Sequence, residues 1–100
     1  MKHLSSLMVA MLLMLTSNAS AANVKTGIEV LREQNFQLLE GKRVGLTTNP
    51  TGVDSHLKST IDILWEADNV NLVALYGPEH GVRGNVHAGD VVDNEVDKKT

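Results

Sequence analysis

The segment Asn71–Tyr76 constrains this chain more than any other. Leu72-Val73-Ala74-Leu75 is an unbroken apolar run that stops at Gly77-Pro78. A strand without polar alternation reads as covered on both faces, the habit of parallel sheets. Parallel strands cannot be joined by a tight turn and need a crossover, usually a helix. The preceding residues supply both parts. Val44-Gly45-Leu46-Thr47-Thr48 is β-prone and ends at Asn49-Pro50-Thr51-Gly52, a strong loop marker. Asp54 or Ser55 can cap a following helix, with Leu57, Ile61 and Leu64 at i, i+4 and i+7 on one face and an end near Ala67. Strand, helix and strand with short connections make a βαβ unit from about Arg43 to Tyr76, so the fold class is α/β. Two strands do not form a stable sheet alone, and further strands are expected beyond Thr100.

Upstream, Thr26 and Glu29 have capping-box spacing. Ile28, Leu31, Phe36, Leu38 and Leu39 follow as an approximate helical stripe, and Gly41 suits a left-handed C-terminal position. The pattern predicts a helix over residues 27–39. Asn85–Thr100 is polar and acidic without a clear period and is expected to be irregular.

The first 21 residues read as an export signal, with 22–100 as the folded product. Lys2 and His3 begin it, Leu4–Leu15 is apolar apart from Ser5 and Ser6, and Ala19-Ser20-Ala21 fits a signal-peptidase site. That apolar run is shorter than the roughly 20 residues a spanning helix needs, which argues against stable membrane insertion after cleavage. The destination is exported, either periplasmic or secreted. Loss of Lys2 takes the formal charge from −3 to −4. An acidic chain without a basic cluster has no footprint for nucleic acid. There is no cysteine, which excludes disulfides, thiolate metal sites and a cysteine nucleophile.

Ligands of open α/β sheets bind outside the carboxyl ends of the strands. Here that edge carries the loops Asn49–Asp54 and Gly77–Gly84. The second reads Gly-Pro-Glu-His-Gly-Val-Arg-Gly and presents Glu79, His80 and Arg83 within five positions. A glutamic acid in a partly apolar cleft can protonate a departing glycosidic oxygen. A histidine can hydrogen-bond that carboxyl group or the substrate. An arginine offers a planar fork for a carboxylate such as the lactyl acid of muramic acid. The plainer alternative is that Glu79 and Arg83 pair with each other and brace the loop. Asn49 can meet a sugar hydroxyl or acetamido group, or simply form a turn before Pro50. Asp54 reads as a helix cap. His56 and His87 lack partners at metal-ligand spacing, so no metal site is assigned. No nucleotide loop or G-x-S-x-G elbow occurs.

Gly45-Leu46-Thr47-Thr48-Asn49-Pro50-Thr51-Gly52-Val53-Asp54, followed by Leu75-Tyr76-Gly77-Pro78-Glu79-His80-Gly81-Val82-Arg83-Gly84, resembles the exo-β-N-acetylmuramidase family of the NamZ type. Thr26-Gly27-Ile28-Glu29-Val30-Leu31 is similar to that family's opening, so the resemblance covers about Thr26 to Gly89. It implies the start of a Rossmann-like domain, incomplete here, joined to a second α/β domain across a cleft. It implies an exo-acting glycoside hydrolase that releases terminal β-linked N-acetylmuramic acid from the non-reducing end of peptidoglycan fragments. Its catalytic glutamate falls on Glu79, and Asn49, His80 and Arg83 match positions expected to touch the muramyl substrate. No cofactor is implied. The isolated 100 residues, without the second domain, are expected to be inactive. Two other readings stay open: an exported wall-sugar-binding module without catalysis, and an amidase or deacetylase acting on wall fragments.

Overall fold

The computed structural model describes residues 23–91 and 93–100. The expected export signal therefore lies outside the described residues. Among the described residues, no helix is long and apolar enough to cross a membrane.

The first element is helix α1, Gly27–Glu33. Thr26 stands at its N-cap with extended backbone, and both its amide and its hydroxyl donate to the Glu29 carboxylate at 2.7 Å. The Ser55 hydroxyl donates to the other carboxylate oxygen. The Ser55 bond first, then those from Thr26, draws the Glu29 carboxyl down to about 2.

The helix is shorter than the stripe predicted. Asn35 and Phe36 both take left-handed backbone, φ 52° and 54°. The Asn35 amide bonds the Arg32 carbonyl at 2.9 Å, and the Phe36 amide reaches back to the Leu31 carbonyl at 2.9 Å. These two bonds are a Schellman closure, with asparagine at the position Gly41 was expected to fill. Asparagine tolerates this conformation because its short polar side chain carries little steric penalty there. The turn drives Phe36 into the core beside Leu31. Residues 37–39, expected to continue the helix, form a single 3₁₀ turn instead.

Strands β1 (Arg43–Thr47) and β2 (Asn71–Tyr76) pair in parallel, from Arg43 opposite Asn71 to Thr47 opposite Tyr76. The pairing slips once, between Val44 and Gly45. Thr48, expected inside the first strand, only extends its ladder by donating to the Tyr76 carbonyl at 2.9 Å. Helix α2, Thr60–Trp65, is the crossover. The α/β class and the βαβ order are as the sequence implies.

The crossover helix starts five to six residues later than the cap candidates Asp54 and Ser55. Ser59 is the true cap, its hydroxyl accepting from the Ile61 amide at 3.2 Å. The intervening residues 53–59 form a tight loop closed by a bridge between Val53 and Ser59. Asp54 organises that loop rather than a helix. Its Oδ1 accepts from the His56 and Lys58 amides, both at 2.9 Å, and its Oδ2 accepts from Arg32 at 3.2 Å. Leu57 consequently lies outside the helical face, 81% exposed with φ 63°.

Ile63 and Leu64 of α2 pack with Phe36 against residues of α1 and both strands. Leu64 is 3% exposed. In the full-length protein Leu64→Ala should cost about 2–5 kcal/mol, the loss typical of emptying a buried leucine site. Urea denaturation measures it. A loss below about 1 kcal/mol would show that this cluster is not a core. The second face of β2 is less covered than the apolar run predicts, since Val73 remains 45% exposed among the described residues. One layer of helix and two strands can bury only one side of such a sheet.

Candidate active site

Because β1 and β2 run in parallel and in register at Thr47 and Tyr76, their following loops leave from one edge. Thr47, Thr48, Asn49 and Pro78 line a depression there of about 290 Å³. The two loops also touch. A Cβ built on Gly84, where φ is +72°, would lie 2.6 Å from Pro50 Cγ, so only a residue without a side chain fits against that proline.

The Gly77–Gly84 loop is held by its own backbone. A Cβ on Gly77 would sit 2.5 Å from the Val82 nitrogen and 2.7 Å from the Gly81 carbonyl carbon. Between these close passes the His80 amide donates to the Pro78 carbonyl at 2.6 Å. That three-residue closure puts Glu79 at the centre of a γ-turn, with φ +39°. A glutamate rarely adopts a left-handed backbone, and such strain concentrates at sites of chemistry and ligand contact. Glu79 is exposed.

His80 Nδ1 lies 3.2 Å from the Val86 carbonyl. A carbonyl only accepts, so Nδ1 carries the proton in this contact, and among the described residues Nε2 meets no partner. The Asn49 carbonyl oxygen accepts from the Thr51 amide at 3.1 Å and the Thr51 hydroxyl at 2.7 Å. The asparagine is thus a turn former through its oxygen, while among the described residues its amide nitrogen meets no acceptor. The turn and binding readings are compatible because they use opposite ends of one amide.

Arg83 does not pair with Glu79. Its Nε and Nη2 grip Asp97 from one side, both at 2.8 Å, and Nη2 also donates to Asp62 on α2 at 3.1 Å. Asp97, ahead of Asp62, raises the Arg83 pKa, and Arg83 in turn holds the Asp97 carboxyl far below the usual range. The Asp62 carboxyl is lowered chiefly by Lys99, which donates at 2.6 Å, and next by Arg83. Asp62, Asp97 and Lys99 carry no motif and were not singled out from sequence. Asp54, buried at 4% exposure, is lowered first by the Lys58 amide and is engaged by its own loop and by Arg32 of α1.

The family model for the N-terminal part of the exo-β-N-acetylmuramidase NamZ matches residues 44–100. The chain belongs to this family. It is 51% identical over 82 residues to the peptidoglycan β-N-acetylmuramidase NamZ of Bacillus subtilis strain 168, a match covering 82% of this chain and 20% of that protein. It also superposes on the crystal structure of a DUF1343 family protein from Bacteroides fragilis NCTC 9343 with a TM-score of 0.61 and 85% identity, covering 66% of this chain and 17% of that one. The chain therefore spans about a fifth of the length of these NamZ-type and DUF1343 relatives. The family match includes both loops of the site.

Proposed function

We propose that this chain supplies the acid-bearing loop of an exported, exo-acting glycoside hydrolase that releases terminal β-linked N-acetylmuramic acid from the non-reducing end of peptidoglycan fragments. The observation that carries the reading is Glu79, strained at the tip of a loop on the carboxyl edge of a parallel sheet in a NamZ-family chain. Glu79 is the general acid: it gives its proton to the glycosidic oxygen as the bond to the anomeric carbon breaks. Asn49 offers its amide nitrogen to a sugar hydroxyl or acetamido oxygen. His80 offers Nε2 to the acid or to the substrate. Arg83 offers Nη1 to the lactyl carboxylate. Attack on the anomeric carbon comes from a second carboxylate outside this stretch or from the substrate's own acetamido oxygen. Residues 1–21 direct the protein across the membrane to that substrate.

The test is product identity. The full-length protein, incubated with muramyl-terminated wall fragments, should liberate free N-acetylmuramic acid, seen by mass spectrometry. Sugar binding without release would instead establish a wall-binding module, and loss of an acetyl group or peptide an amidase or deacetylase. The 100 residues alone should show no turnover.

A further inference from the structure

We propose that Asp97 and Asp62 are positioning residues that aim one edge of the Arg83 guanidinium at a substrate carboxylate. This inference rests on the sugar-site reading and deepens it. Arg83 stands next to Gly84, and Gly84 lies against Pro50, so the arginine springs from the point where the two site loops meet. Its side chain is 23% exposed, neither sequestered nor loose.

The pattern of bonds selects which part of the fork is used. Asp97 occupies Nε and Nη2, and Asp62 occupies Nη2 again. Among the described residues no acceptor meets Nη1. A planar guanidinium clamped along one edge cannot rotate, so its remaining edge points in one direction. Both clamps are themselves fixed. Asp97 accepts from the Thr100 amide at 3.1 Å and the Thr100 hydroxyl at 2.5 Å, and Asp62 is held by Lys99. The clamp joins three parts of the chain: the loop of Glu79, helix α2 and the segment around Asp97.

Arg83, Lys99, Asp62 and Asp97 sum to zero charge, so long-range attraction of an anion is not what this group provides. It provides direction. Removing a clamping carboxylate therefore has two opposed effects: it unmasks the arginine's positive charge, and it frees the guanidinium to wander. Positioning predicts that the second dominates for a site requiring one geometry.

Calorimetry on the full-length protein with N-acetylmuramic acid and with its lactyl amide separates the effects. The wild type should bind the acid about tenfold more tightly than the amide, a difference carried by Arg83 Nη1. Asp97→Asn should bring that ratio close to one while leaving amide affinity within about twofold, and Asp97→Glu should recover part of the preference. Asp62→Asn should act in the same direction and serves if Asp97→Asn fails to fold. A ratio that stays at the wild-type value, or rises because the arginine has been unmasked, overturns the inference. Absence of an acid preference in the wild type also overturns it. Failure of the hydrolase reading looks different: the wild type would bind muramic acid with its preference intact and release none from wall fragments.

Discussion

Glu79→Gln in the full-length protein should cut hydrolysis of a muramyl disaccharide by about 10²–10⁴-fold, the usual contribution of a positioned general acid. Glutamine keeps the length of the side chain and can occupy the same γ-turn, so the loop retains its path and only the transferable proton is lost. Substrate affinity should change little, placing the loss in kcat. The leaving group supplies an internal check. A sugar hydroxyl needs a proton as it departs, whereas a nitrophenolate leaves well without one. The variant should therefore lose far less activity on a nitrophenyl β-muramide than on the disaccharide. Equal losses on both substrates would mean that Glu79 shapes the site without donating. Wild-type turnover of the disaccharide would remove it from the mechanism.

The βαβ unit was legible because its signals are local and redundant. An apolar run bounded by Gly77-Pro78 and a β-prone run bounded by Asn49-Pro50 have few other meanings, and both strands lie within one residue of the pattern. The helices were less legible because tertiary contacts override periodicity at their ends. The apolar stripe from Ile28 to Leu39 runs on past Asn35, so its spacing masks the asparagine that turns left-handed and lets Phe36 bury itself. Likewise Leu57 continues the spacing of Ile61 and Leu64, yet the carboxylate of Asp54 gathers the amides of His56 and Lys58 and holds the chain in a loop. A short acidic side chain that competes for backbone amides is the physical reason that Asp54 defeats a helical pattern. The site divides in the same way. The loop of Glu79 declares itself through glycines and proline, whereas the Asp62 and Asp97 partners of Arg83 lie 21 and 14 residues away and depend on the fold alone.

Gly77→Ala should be the most damaging small substitution in the loop. The added methyl would meet the Val82 nitrogen at 2.5 Å, the Gly81 carbonyl carbon at 2.7 Å and the Gly81 Cα at 2.9 Å. All three are backbone atoms, so no side-chain rotation relieves the contact and the loop itself must open. Glu79 lies between the colliding residues, and opening the loop moves its carboxyl relative to the depression edged by Pro78. Displacement of a catalytic group by about 1 Å can cost on the order of 10²-fold in rate, and that is the loss expected for disaccharide hydrolysis. The accompanying loss of stability should be about 1–3 kcal/mol, as for other overpacked sites. Gly27→Ala is the matched control: a Cβ there meets nothing within 4 Å, at the first position of α1. It should leave the rate unchanged. If Gly77→Ala hydrolysed the disaccharide as fast as Gly27→Ala, the close backbone packing of this loop could not be what sets the position of the acid.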